Sequence, residues 1–339
     1  MRKRMFAALL ALGLLVLSGC EKPPERVEFT SFAMDTVMSF TLYGDREKCS
    51  IARSIIGMIL SDYEAVLSAT REGSDVDRVN KANGQPVELE GSSKLLERAL
   101  ELCQVTSGAL DITAYPAVKA WGFSGEEHRV PSPAELEELA GKIDYTAITL
   151  EGDTVTLPAG MEIDLGAVAK GYVGNVLAGQ IGLTSALLDL GQSTIVAVGA
   201  KPDGSPWRIG VRDPEGEGYF AVVELADMAM GTSGGYQRYF EEDGVTYWHI
   251  LDPDTAAPAR SGLASVTVVS PSALTCDGLS TALFVMGLED GAQFWRDHPE
   301  LEFEAVFVTE EGEIYRTAGL EGSFSLAEGY EDREVAVLK

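Results

Sequence analysis

From residue 195 to residue 317 the chain is broken into short apolar runs that fit strands, at 195–198, 207–211, 219–225, 245–251, 265–270, 302–309 and 313–317. Turn residues separate them, a pattern that suits antiparallel pairing between near neighbours. The amphipathic helical patterns fall mostly before this region. Ile51, Ile55, Ile59, Tyr63 and Val66 recur every three or four residues across 46–69 and describe one apolar face. A second helix is predicted over 93–106 with Gly108 as its stop, and a third starts at Ser132-Pro133, a cap followed by proline. The runs YTAITL and TVTL around Glu151-Gly152-Asp153 read as a hairpin over 145–157. Further helices are predicted near 167–180, 276–286 and 289–297. The elements follow neither regular βαβ alternation nor a repeat period, so the predicted class is α+β, with mostly antiparallel sheets and packed helices.

The N-terminus sets a different constraint. Arg2, Lys3 and Arg4 precede an uncharged apolar stretch at 5–17, which closes on Leu17-Ser18-Gly19-Cys20. That order is a signal peptide over 1–19 ending in a lipobox, with an apolar run too short for a comfortable membrane span. Cys20 is then expected to carry lipid, with 20–28, including Pro23 and Pro24, as a tether and 29–339 as one catalytic domain. The expected location is the extracytoplasmic face of the cell membrane. The formal charge of −27 argues against nucleic acid as a partner, and it becomes more negative by three when residues 1–19 are removed. Such a field repels phosphates, so a phosphate-handling site in this chain needs a metal or a local cation. Cys49, Cys103 and Cys276 form neither a disulfide framework nor a zinc spacing.

Several segments could carry chemistry. Asp164-Leu165-Gly166-Ala167-Val168-Ala169-Lys170-Gly171-Tyr172 puts an acid, glycines and a lysine at a helix start. Free amides and a lysine suit an anionic group there, although a glycine turn before a helix is also simply a turn. The P-loop spacing is absent. Asp277 and Thr281 are four apart, so a helix stacks their oxygens on one face. With a carbonyl and waters they would suit Mg2+. Read alone, they fit a helix cap and a helix-face threonine better. His249, one of three histidines, enters a turn beside Asp252 and Asp254, where it either acts on a hydroxyl or serves as a structural hydrogen bonder. Gly231 to Tyr236 reads as a small-residue loop, open to a ligand or plain. Asp111, Thr113, Tyr115, Trp121 and Phe123 offer polar atoms and flat rings, for stacking or for core.

Taken in order, AMDT at 33–36, GALDIT at 108–113, WGF at 121–123, DLGAVAKGY at 164–172, LDLGQS at 188–193, WRIGVRDP at 207–214, TSGGYQRYF at 232–240, HILDPDT at 249–255, SVTVVS at 265–270 and CDGLSTALFVMG at 276–287 form a set. That set resembles the ApbE family of FAD:protein FMN transferases over roughly 29–330. The resemblance implies a T-fold-related α+β architecture and Mg2+-dependent transfer of FMN from FAD to a Ser/Thr hydroxyl of an exported or membrane flavoprotein, with AMP released. It implies that the Ala167 carbonyl, Asp277 and Thr281 hold Mg2+, which displaces the helix-cap reading. It also implies that Met34, Thr70, Ala109, Leu110, Asp111, Asp164, Lys170 and Leu251 lie along FAD, and that His249 is catalytic; the neighbouring Asp252 is our candidate for orienting it. The implied acceptors are FMN-binding-domain proteins of membrane electron-transfer complexes. Two other readings use the same residues: an FAD pyrophosphatase with water in place of the hydroxyl, and a lipoprotein that only binds flavin. The chain departs from the family pattern at Asp35, Gly235 and Ala256. At Ala256 a missing glycine suggests a turn with negative φ.

Overall fold

The computed structural model describes residues 23–125 and 127–339. Its frame is a nine-stranded sheet: β1 (Glu25–Ala33), β2 (Thr36–Gly44), β3 (Ala186–Asp189), β4 (Thr194–Val198), β5 (Met228–Gly234), β6 (Leu263–Ser270), β7 (Glu304–Thr309), β8 (Ile314–Thr317) and β9 (Val335–Leu338). These strands lie side by side in chain order, each pair antiparallel except β8 with β9. The α+β, mostly antiparallel expectation holds. Among the described residues six helices enter between β2 and β3: α1 (Arg46–Leu67), α2 (Asp75–Lys81), α3 (Ser93–Val105), α4 (Tyr115–Trp121), α5 (Pro133–Ala140) and α6 (Gly166–Gln180). The last helix, α7 (Ala273–Asp297), joins β6 to β7 and breaks at Gly287, whose φ of 85° interrupts the ladder. The two helices expected there are thus the two arms of one kinked element. Among the described residues no helix is long and apolar enough to cross a membrane.

Alternation along the strands divides the sheet into two apolar faces. Met38, Phe40, Leu42, Val196, Val268 and Phe307 meet α1, α6 and α7 on one side. On the other side Met230, Val269, Val306 and Val308 meet Trp207, Ile209, Val211 and Phe220 of a smaller sheet. That smaller sheet pairs Trp207–Arg212 with Tyr219–Leu225 and Phe324–Leu326. Burying each large side chain contributes roughly 1.5–3 kcal/mol. The face of α1 differs from the expected stripe. Ile59 of that stripe is buried and Ile55, Tyr63 and Val66 are half-buried, but Ile51 is 53% exposed, and Cys49, Ala52 and Ile56 are buried beside them. Small Cys49 and Ala52 let the helix approach the sheet, a feature that counting only large apolar residues overlooks.

Three further expectations change. β1 begins at Glu25, inside the stretch 20–28 expected as tether, while the expected signal peptide and Cys20 lie outside the described residues. Tyr145–Ala147 forms a 3-10 turn before the short strand Thr149–Glu151. Most of the expected small-residue loop, up to Gly234, is the central strand β5, where a Cβ on Gly231 would lie 2.8 Å from the Cys276 backbone. The glycine serves the seating of α7 on the sheet.

The β1–β2 connection is a two-residue turn with Met34 at φ 51° and Asp35 at φ 57°, flanked by the Ala33 and Thr36 pair. Positive φ at both central positions suits Asn-Gly, not Met-Asp. The Asp35 side chain is exposed, so Asp35→Gly removes left-handed strain at little loss of contact. We expect about 1 kcal/mol of added stability, read as a higher urea midpoint; an unchanged or lower midpoint would show that the turn carries no such strain.

Candidate active site

A cavity of about 1750 Å³ opens between the β1–β2 turn, the start of α6, the smaller sheet and the segment that follows β5. Drug-sized ligands occupy roughly 300–1,000 Å³, so there is room for a large ligand and part of a second molecule. Met34, Thr70, Ala109, Leu110, Asp111, Asp164, Ala167, Lys170, His249, Leu251 and Thr281 all line it. Asp277 lies behind this lining, 8% exposed.

Asp277 is held where α6 meets α7. Ser272 caps α7, and Asn175 of α6 grips the same helix end, its Oδ1 accepting from the Ala273 amide at 2.8 Å. A Cβ on Gly171 would lie 2.2 Å from the Ala273 carbonyl, so only glycine allows this approach. The Gly171 N–H donates to Asp277 Oδ2 at 2.6 Å, and the Thr194 hydroxyl donates to Oδ1 at 2.7 Å. In a regular helix that Gly171 N–H points to the Ala167 carbonyl four residues earlier; here it also donates to the carboxylate. Thr281 Oγ1 donates to the Asp277 carbonyl at 3.3 Å and lies 3.2 Å from Ser233 Oγ. Burial pushes Asp277 up to about 6, against the pull of nearby Lys170 and the Thr194 and Gly171 bonds. A buried carboxylate whose direct hydrogen-bond donors are neutral fits a cation. A carboxylate, a hydroxyl and a carbonyl are hard oxygens, suited to an ion that keeps its waters. Among the described residues no three His, Cys, Asp or Glu side chains cluster as a metal cage.

Lys170 donates from Nζ to Ser193 Oγ at 2.5 Å. Burial lowers its pKa, and Asp277 opposes that shift. Ser193 and Thr194 are consecutive, so one tight turn after β3 sets both charged groups, the first holding the ammonium and the second the carboxylate. Gly191 makes that turn possible, at φ 88° and packed so close that a Cβ would lie 2.5 Å from Thr36.

The His249 Nδ1 lies 3.2 Å from the Arg238 carbonyl. A carbonyl only accepts, so Nδ1 carries the proton and Nε2 keeps its lone pair. Burial, with Arg238 and Lys170 nearby, pushes the imidazole down to about 4. It is neutral at pH 7. Asp252 is not its orienting partner, because Asp252 Oδ1 accepts the Asp254 amide at 2.9 Å and the Arg238 carbonyl takes that role. Asp164 Oδ1 accepts the Gly166 amide at 2.9 Å, and burial raises its pKa. Asp111 is turned to structure: Thr113 donates to one oxygen and the Tyr145 amide to the other. Thr70 sits exposed at the rim, 3.2 Å from Ser68 Oγ. Tyr115 and Phe123 line the cavity. Trp121 does not; it is 2% exposed and donates from Nε1 to the Ala256 carbonyl at 2.8 Å.

Two departures from the family pattern take definite form. Ala256 stands at φ 54°, so the turn keeps the left-handed conformation despite its missing glycine. At Gly235 a Cβ would lie 2.9 Å from Trp248, so restoring the usual aspartate there requires the indole to move. Ser193, Thr194 and Arg238 escaped the sequence reading. The hydroxyl pair beside Gly191 offered a weak local signal, whereas Arg238 offered none.

The arrangement defines an enzyme-type cleft for an anionic ligand, its charged groups sunk where two helices meet the sheet. A family model described as the ApbE family matches residues 34–307, and the chain belongs to that family. A FAD:protein FMN transferase of Vibrio cholerae is 34% identical, over 84% of this chain and 88% of the relative. A second protein of that name, from Treponema pallidum, is 33% identical over 84% and 85%. The ApbE protein of Thermotoga maritima superposes with a TM-score of 0.83 at 32% identity, covering 88% of this chain and 99% of that one. The apo flavinyl transferase of Pseudomonas stutzeri gives 0.77 at 28% identity, covering 90% and 99%.

Proposed function

We propose that the protein transfers FMN from FAD to a hydroxyl of an acceptor protein, with Mg2+ as its metal. The observation that carries this is the joining of Asp277, Lys170 and His249 at one cleft, in a chain of the ApbE family. Asp277, Thr281 and the Ala167 carbonyl would hold Mg2+. When bound, the ion supplies positive charge to the FAD pyrophosphate.

Lys170 adds charge to the phosphoryl oxygens, where such transfers gain most of their rate. The acceptor oxygen bonds to the FMN phosphorus, the phosphoanhydride breaks, and AMP leaves with the hydroxyl proton passed to its phosphate. His249, with a pKa near 4, is a poor store for a proton at neutral pH. Its Nε2 therefore serves by accepting the hydrogen bond that aims the hydroxyl. Asp164 and the rim residues Met34 and Thr70 lie where FAD would contact them. The test is incubation with FAD, Mg2+ and an FMN-binding-domain acceptor, with intact-mass analysis and AMP quantification. An FMN phosphoester on the acceptor together with AMP supports transfer; AMP and free FMN regardless of acceptor would make the protein a pyrophosphatase, and neither product a flavin carrier.

Metal binding should follow pH through Asp277. In the metal-free protein this carboxyl keeps its proton to about 6, against 3.8 ordinarily. The native state thus binds more protons between those values, and this group's contribution to stability falls by roughly 3 kcal/mol as pH rises through them. Mg2+ requires the ionised form. The rise in Tm on adding saturating Mg2+ should be small at pH 5 and grow through pH 6 to pH 8. Equal shifts at both ends would remove Asp277 from the metal site.

We also propose that Cys20 anchors the protein to the outer face of the membrane, on the lipobox pattern of residues 17–20. Cys20→Ser should move the protein from the membrane to the soluble fraction, and retention in the membrane would refute the anchor.

A further inference from the structure

We propose that Phe32 and Val37, with Tyr219 and Tyr239, form a docking rim for the acceptor protein around the mouth of the cleft. This rests on the transferase reading above and adds to it the surface that a macromolecular substrate must touch.

The argument begins with exposure. Phe32 is 70% exposed, Val37 62%, Tyr219 53% and Tyr239 51%. Phe32 and Val37 are direct cross-strand partners and stand on the same face, beside the turn whose Met34, Asp35 and Thr36 line the cleft. Tyr219 and Tyr239 line the cleft themselves, on the smaller sheet and on the segment after β5. Large apolar side chains thus meet water on separate elements that border this opening. Exposed apolar clusters of this kind mark contact sites, and aromatic residues carry much of the energy at protein interfaces.

The edge of the sheet points the same way. Among the described residues β1 is an outer strand, open along one side. Its far half carries Glu25, Arg26 and Glu28, charges that discourage strand pairing. The half beside the cleft, Thr30 to Ala33, carries none. Any acceptor presenting a hydroxyl to His249 must pass over this rim. The occupant inferred is therefore a protein whose acceptor hydroxyl sits on a protruding segment flanked by apolar side chains. A bilayer is the weaker alternative, because the tip lies eight residues of extended strand, about 26 Å, from Glu25 at the end nearest the proposed anchor.

The test uses the full chain in detergent, the double variant Phe32→Thr/Val37→Thr and a purified FMN-binding-domain acceptor protein. Threonine retains strand propensity, so the hairpin is expected to persist. A control, Ile51→Thr/Met58→Thr, removes comparable exposed apolar surface from α1, outside the cleft lining. Acceptor binding without FAD should weaken at least tenfold in the rim variant and stay unchanged in the control. The KM for the acceptor should rise to match, while FAD affinity, kcat at saturating acceptor and transfer to a short peptide spanning the hydroxyl stay as they were. Unchanged acceptor binding in the rim variant overturns the proposal. So does a variant that instead loses binding to phosphatidylcholine–phosphatidylglycerol vesicles, or that only converts a dimer to monomer. Because docking is read without FAD, tight binding with no AMP release would refute the transferase reading while leaving the rim intact.

Discussion

Asp277→Asn should lower Mg2+-dependent FMN transfer by at least about 10³-fold while leaving the metal-free protein as stable as before or more so. The substitution keeps the shape of the side chain. Its carbonyl oxygen can still accept the Gly171 amide, and its NH2 can donate to the Thr194 hydroxyl, which rotates to accept. What disappears is the negative charge. Burial already disfavours that charge enough to push the carboxyl up to about 6, so at pH 8 its loss relieves the metal-free protein. The same loss removes the one anionic oxygen of the proposed Mg2+ set, and about 4 kcal/mol of lost transition-state stabilisation is the 10³-fold expected. Asp277→Ala gives the contrast. It leaves the buried Gly171 N–H and Thr194 hydroxyl without partners, at a cost of about 1–3 kcal/mol each. The two variants should therefore share an activity defect and differ in urea midpoint. An Asn variant that keeps its Mg2+ response in Tm and its transfer rate would sink the metal assignment.

These paired expectations show what the sequence could and could not disclose. The short apolar runs at 207–211 and 219–225, the cap at Ser132 and the helical pattern over 167–180 are local signals, and they were legible. Asp277 and Thr281 were visible as one face of a helix, yet the residues alone favoured a cap. The reason is physical: what makes Asp277 unusual is the Gly171 amide 106 positions away and the Thr194 hydroxyl 83 positions away. No window of sequence contains those partners. The ordered set of motifs supplied the long-range association instead. Positive φ was hidden in the same way. Met34, Asp35 and Ala256 adopt it without being glycine, because the surrounding pairing imposes it. The imidazole partner was hidden too, since a backbone carbonyl holds His249 and no residue type reports a carbonyl.

That carbonyl shapes the second large effect. His249→Ala should slow transfer to a protein acceptor by about 10²- to 10⁴-fold, the range for losing a positioned proton-handling group. FAD affinity should change little, because Lys170 and Asp277, the groups proposed to serve the phosphates, stay in place. The pH profile distinguishes a positioning role from that of a proton store. Burial holds the His249 pKa near 4, so in the wild-type protein its protonation should not depress kcat until well below pH 5. Above that point any pH dependence of transfer should survive the substitution, since it belongs to other groups. If His249 instead held the hydroxyl proton through a pKa near neutrality, a limb at pH 6–7 would be present in the wild type and absent in the variant. Disruption of the Arg238 contact alone is a different defect, because the His249 amide also donates to that carbonyl at 3.1 Å and keeps the segment in place after the ring is removed. A His249→Ala protein that folds, binds FAD and transfers at the wild-type rate would remove His249 from the role of aiming the acceptor hydroxyl.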